Sequence, residues 1–155
     1  MSSILRTIQD ECAERIRNAA FFTRSTAKVR TRSDEAIETK IAEALKTLGL
    51  TIFIFPPEPQ SSKPNLPGPH FDKIEIAVRI FENPVVNKTG IDAWEAWEEI
   101  ASERGLHRFK PRSLAAHGAL HIAEKPFTDV SDDFSGLRAF DANFTAACNL
   151  IPIPK

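Results

Sequence analysis

The chain has 155 residues, of which 42% are hydrophobic and 26% charged; this suits a single domain with its own core and excludes a disordered segment. Twenty Lys and Arg stand against 21 Asp and Glu, a net charge of −1, which excludes a wholesale binder of nucleic acid or other polyanions. Apolar runs reach only about five residues against the ~20 needed to span a bilayer.

The first residues, Met1 to Arg6, show no basic segment followed by an apolar run, so the expectation is a chain assembled in the cytosol. Cys12 and Cys148 are the only cysteines. Their scarcity argues for two semi-buried thiols in a reducing compartment, although a pairing is open if the two ends meet.

In chain order, Ile4, Leu5, Ile8, Cys12 and Ile16 fall on one helical stripe, with Ser2 or Ser3 able to cap its start. The helix runs into Ala19-Ala20-Phe21-Phe22, and residues 27–31 form a possible strand. Ser33 caps a second helix with Asp34 and Glu35 in its first turn and Ile37, Ile41, Ala44, Leu45 and Leu48 on its apolar stripe. Gly49 is placed to close that helix in the left-handed conformation.

Residues 50–55 read as a strand apolar on both faces, hence a central one. Pro56, Pro57, Pro59, Pro64, Pro67 and Pro69 then mark residues 56–70 as an extended loop outside the core, ordering only against a neighbour. Residues 71–82 alternate cleanly, with Ile74, Ile76, Val78 and Ile80 on one side and Lys73, Glu75 and Arg79 on the other.

Residues 87–90 make a turn. Asp92 and Glu95 then form a capping box for a third helix, which turns Trp94, Trp97, Ile100 and Ala101 inward and Glu95, Glu98, Glu99 and Glu103 outward, ending at Gly105. A basic connector follows. Strands at 118–127 and 136–150, separated by the polar turn 131–133, complete the chain; Phe140, Ala142, Phe144, Ala146 and Cys148 share one face of the last. The expected fold is α+β, a mostly antiparallel sheet with helices packed on one face, in one domain spanning 1–155.

Candidate chemistry is sparse. His117 and His121 lie on one strand face about 13 Å apart, while His70 and His107 fall in loops, so the histidines read as surface residues and no metal is expected. Neither cysteine sits in a nucleophile pattern, no Gly-x-Ser-x-Gly elbow occurs, and the six glycines are all singly placed. No catalytic residue and no cofactor are therefore expected.

What remains is charge patterning. Arg24, Lys28, Arg30 and Arg32 form one basic cluster, and Arg104, Arg108, Lys110 and Arg112 a second. Against them stand the acidic helix face Glu95, Glu98 and Glu99 and the acidic turn Asp129, Asp132 and Asp133. The basic clusters suit a solvated edge or a charged interface with an acidic partner.

One further pattern spans roughly residues 33 to 150. It comprises a helix leading through Leu48-Gly49 into a strand and Pro56, then a strand ending Phe81-Glu82-Asn83-Pro84, then Val85-Val86-Asn87-Lys88 and Gly90 before an amphipathic helix. Leu106-His107, Pro111, a strand, a polar turn and a Phe-rich final strand follow.

This order resembles the tail terminator (tail completion) proteins of long-tailed bacteriophages and prophages. The resemblance implies a non-enzymatic α/β subunit that assembles as a ring, a hexamer by match to a six-fold tube, on the end of the tail tube. There it would stop polymerisation and present a head-joining surface. The implied partners are other copies of itself, the tail tube protein and a head-joining protein, with no membrane and with DNA only passing the lumen; the implied location is the host cytoplasm during assembly and then the virion tail. A small RNA- or ligand-binding α+β module is the alternative, and it needs exposed aromatics, for which Phe71 and Phe81 are the candidates. An enzyme would need the histidines to converge.

Overall fold

In the computed structural model the described residues are 4–23, 28–31, 37–60, 71–112 and 119–150. Helix α1 covers Ile4–Arg17, a short helix α2 covers Ala20–Thr23, and strand β1 covers Lys28–Thr31. Helix α3 (Ile37–Thr47) leads into β2 (Leu50–Ile54), β3 (Glu58–Gln60) and β4 (Phe71–Glu82). Helix α4 (Ala93–Ala101) precedes β5 (His121–Asp129), a 3-10 turn at Ser131–Asp133 and β6 (Arg138–Leu150). The proposed caps Ser2, Ser3 and Ser33 lie outside the described residues.

The strands form one sheet in the order β1-β2-β4-β6-β5, with β3 also paired to β4. Every pairing is antiparallel except β1 with β2. The fold is therefore α+β with a mostly antiparallel sheet. The parallel pair follows from connectivity: α3 carries the chain from the end of β1 back to the start of β2, and parallel neighbours require such a crossover.

Alternation in β4 and β6 sets the main core. Ile74, Ile76, Val78 and Ile80 meet Phe140, Ala142, Phe144 and Ala146 on one face, joined by Ile52 and Ile54 of β2. Ile8, Cys12 and Ile16 of α1 and Ala93, Ala96 and Ile100 of α4 cover that face. Gln9, also buried, donates from Nε2 to the Ile54 carbonyl at 2.7 Å and ties α1 to the end of β2.

The helices are divided between two faces, which corrects the expectation that they share one. Leu45 and Ile41 of α3 pack on the opposite side, over Phe53, Phe81 and Ala139. A strand apolar on both faces, as β2 is, must be covered on both to keep that surface from water. Phe81, read as outward-facing, is consequently buried beneath α3.

The proline segment also departs from expectation at its start. Phe55 donates its N–H to the Ala77 carbonyl at 3.0 Å, and Glu58, Pro59 and Gln60 pair with Glu75, Ile74 and Lys73 of β4. Pairing slips by one residue between Ile54↔Val78 and Glu58↔Glu75, so Pro56 and Pro57 sit in a bulge that needs no ladder donor. Pro57 is buried. The rest of the proline segment, residues 61–70, lies outside the described residues.

Helix α4 opens on the expected capping box: Asp92 accepts from the Glu95 N–H at 2.8 Å, and Glu95 accepts from the Asp92 N–H at 3.3 Å. Its faces are rotated from the sequence reading. Trp94 is 47% exposed, its indole stacked on Phe127 at the sheet margin, whereas Glu99 is buried. The helix stops at Ala101 rather than Gly105, because the Ser102 cap turns the chain away.

Cys12 lies at the α1–sheet interface without solvent exposure, and burial pushes its thiol well above the ordinary range. A thiol held protonated and inaccessible is a poor nucleophile. Alkylation at about pH 8 should therefore leave Cys12 unmodified in the native protein and label it fully in urea, as read by peptide mass spectrometry. Rapid native labelling would show that α1 opens readily.

Candidate functional site

The basic connector is built by α4 ending early. Ser102 donates from Oγ to the Glu99 carbonyl at 2.7 Å, and Leu106 donates its N–H to the Ile100 carbonyl at 2.9 Å, burying the Leu106 side chain. Arg108 takes φ 65°, an unusual backbone for a side-chain-bearing residue. That turn lets the Arg108 N–H reach the Leu120 carbonyl (2.7 Å) while the Leu120 N–H reaches the Phe109 carbonyl (2.8 Å), so the connector docks beside the start of β5.

The four cations read as one patch are not equivalent. Arg104 forms a two-pronged pair with the Glu99 carboxylate at 2.9 and 3.1 Å, which also raises the Arg104 pKa through that hydrogen bond first and charge second. Glu99 is thereby removed from the candidate interface: it is 8% exposed and neutralised within its own chain. The helical period places Glu99 on the polar face, but Arg104, five residues on, folds back over it.

Arg108 pairs with Glu103 at 3.2 Å, both well exposed, an arrangement worth little in water. Lys110 and Arg112 are exposed, and neither has an ion-pair partner among the described residues. They border a crevice of about 470 Å³ against α1, where Glu11, Glu14 and Arg15 form the other wall. Arg15 donates to the Gly105 and Glu103 carbonyls, each at 3.1 Å, and lies over the Phe109 ring.

The backbone of Arg30 is in β1, opposite Phe53 of β2; the Arg24 and Arg32 candidates, like the side chains of Lys28 and Arg30, lie outside the described residues. Glu98 is exposed on α4, as expected. Asp132 and Asp133 are exposed on the 3-10 turn, and Asp129 accepts from the Ser131 N–H at 2.9 Å. Hydrogen bonding from Ser131 holds the Asp129 carboxyl below its usual range. The Asp129 carboxylate therefore supports the Ser131 end of the turn at neutral pH, and that support fades only as pH falls through the lowered value.

Sequence reading missed two cross-strand charge pairs, one on each face of the sheet. Arg79 donates from Nε and Nη2 to both oxygens of Asp141, at 2.7 and 2.9 Å, with its guanidinium over Phe55 and Phe134. Arg138 reaches Glu82 at 3.1 Å, and Asn87 donates to the same carboxylate at 2.7 Å. Both ion pairs are direct cross-strand neighbours of β4 and β6, Arg79↔Asp141 and Glu82↔Arg138. Opposite charges at matching positions were the available signal, readable only once the register is known.

Beside Arg79 an open cleft of about 500 Å³ runs past Glu75, Asn143 and Lys125, where β5 bulges away between Ile122 and Phe127. Arg79 there is already held by Asp141.

Two histidines from separate segments meet. His107 and His121 rings lie 5.8 Å apart, edge to face, because the connector docks beside β5. The Ile122 N–H donates to His107 Nδ1 at 3.4 Å, which gives His107 a part in that docking. His70 and His117 lie outside the described residues. Among the described residues no three His, Cys, Asp or Glu side chains gather as a metal would require, and no helix is long and apolar enough to cross a membrane.

Compared with protein-family models the chain matches none, and comparison with curated protein sequences finds no significant match.

Proposed function

We propose that the protein is a structural, non-enzymatic subunit that self-associates into a ring, in the manner of the tail terminator proteins its element order resembles. In that role a hexameric ring would cap the phage tail tube, end its polymerisation and face a head-joining protein, with DNA passing the lumen. Its places would be the host cytoplasm during assembly and then the virion tail.

One observation carries the reading. Among the described residues, buried charges are neutralised within the chain, while charge of opposite sign without an ion-pair partner gathers towards the two ends of β5. Lys110 and Arg112 follow Arg108 and Phe109, whose backbones bond to Leu120 just before β5, and Asp132 and Asp133 follow Asp129 at its other end. Strand rise separates the two ends of β5 by roughly 25 Å. Two unlike surfaces on opposite ends of a subunit make head-to-tail contacts, and these close into rings when the rotation permits.

The RNA-binding alternative is weakened by the burial of Phe81, while the Phe71 side chain lies outside the described residues.

The test is light scattering across protein concentration and salt, with and without tail tubes. Self-association should be strong at about 0.05 M salt and weak at about 0.5 M, since screening shortens the reach of exposed charges. Lys110→Glu with Arg112→Glu should abolish it, and Asp132→Lys with Asp133→Lys in the same chain should restore it. A two-fold dimer indifferent to salt and to charge reversal, without effect on tube length, would remove the ring reading.

A further inference from the structure

On the second sheet face, between α3 and the turn at 134–137, lies an apolar groove of about 490 Å³. Ile41, Ala42, Leu45, Phe81, Phe134 and Leu137 line it, with Lys46 and Ser135 at its rim. Phe81 and Phe134 meet edge to face at 5.1 Å and form an aromatic wall. Grooves walled by aromatics suit extended, proline-containing segments, whose carbonyls remain free for donors at the rim.

The chain itself supplies one such segment. Ile151, Pro152, Ile153 and Pro154 directly follow β6, alternating large apolar residues with prolines. The groove adjoins the start of β6, at Leu137 and Arg138, whereas the segment leaves from the other end, at Leu150. Strand rise makes that separation roughly 40 Å, and four residues extend to about 14 Å at most. Four residues therefore cannot span from Leu150 to the groove of the same chain, whereas no such limit applies to the groove of another copy.

We infer that residues 151–154 of one copy dock in the groove between α3 and the 134–137 turn of the next copy. A contact of this kind joins two different surfaces and propagates in one direction, as a ring needs. The inference deepens the ring reading and rests on it for that direction. Residues 61–69, between β3 and β4 in sequence, offer Leu66 as their one large apolar side chain. They are the competing occupant.

The test is cross-linking with full-length chains carrying Cys148→Ser. Chains with Ala42→Cys are mixed with chains bearing Ile153→Cys under a mild oxidant; Ala42 is exposed on α3, so the change leaves the core intact. An inter-chain disulfide between positions 42 and 153 is expected. Ile151→Asp with Ile153→Asp should weaken self-association by roughly tenfold or more, the scale of losing one buried isoleucine side chain.

The inference falls if no 42–153 disulfide forms or if it forms within one doubly substituted chain. Capture by Leu66→Cys of another copy instead of Ile153→Cys also overturns it. Charge-dependent assembly without the disulfide would leave the ring reading standing alone. The disulfide in a salt-indifferent two-fold dimer would keep the docking and remove the ring.

Discussion

Gly49→Ala is expected to destabilise the protein by about 3 kcal/mol or more, from a left-handed backbone and a steric clash acting together. Gly49 has φ +84°, and a Cβ there would stand 2.3 Å from the Asn87 Cα. The contact is tight because the α3–β2 corner and the chain after β4 share hydrogen bonds: the Asn83 N–H to the Gly49 carbonyl and the Lys88 N–H to the Leu48 carbonyl. Asn87 holds its side of the corner, donating to Glu82 and to the Ile91 carbonyl while its Oδ1 accepts from Thr89. Neither backbone can yield without breaking that set.

For a chain of this length the loss corresponds to a fall in Tm of roughly 10 °C. Gly90→Ala supplies the control, since Gly90 has φ +83° with nothing within 4 Å of the added Cβ. It should lose only the backbone part, about 1 kcal/mol. Equal losses in urea or thermal unfolding of the two variants would show that the Asn87 contact carries no weight.

Removing Arg79 should have an effect of similar size. The side chains of Arg79 and Asp141 are 22% and 11% exposed, and the guanidinium also packs on two aromatic rings. Arg79→Ala strands a largely buried carboxylate and removes the packing between Phe55 and Phe134, so a loss of about 3 kcal/mol is expected. The double change Arg79→Met with Asp141→Leu should recover most of it, because an apolar pair of similar volume carries no desolvation penalty. Urea unfolding of both variants is the measurement. A double variant no more stable than Arg79→Ala would mean that the charge pair contributes net stability beyond its own desolvation.

Such pairs show how far local pattern reaches. Alternation along β4 and β6, the Asp92–Glu95 box and the left-handed Gly49 were all legible, because each depends on residues within a few positions of one another. Whether Arg79 faces Asp141 depends instead on strands 62 residues apart in sequence. The same holds for the surface residues assigned by charge. Glu98, Lys110 and Arg112 are exposed as expected, but Glu99 turns inward because Arg104 folds back on it. No periodicity encodes that return.

By itself, then, the sequence determined most of the strand and helix segments, though neither the Glu58–Gln60 strand nor the early end of α4, and which side of β4 and β6 enters the core, since period and capping are local properties of the chain. Tertiary structure alone decided that β1 lies parallel to β2, that α3 covers the second face and buries Phe81, that Glu58–Gln60 joins the sheet, and that His107 meets His121. Each of those depends on which surface remains uncovered once the other elements have packed. That is a balance of burial and hydrogen bonding across the whole molecule, set by long-range contacts rather than by any single segment.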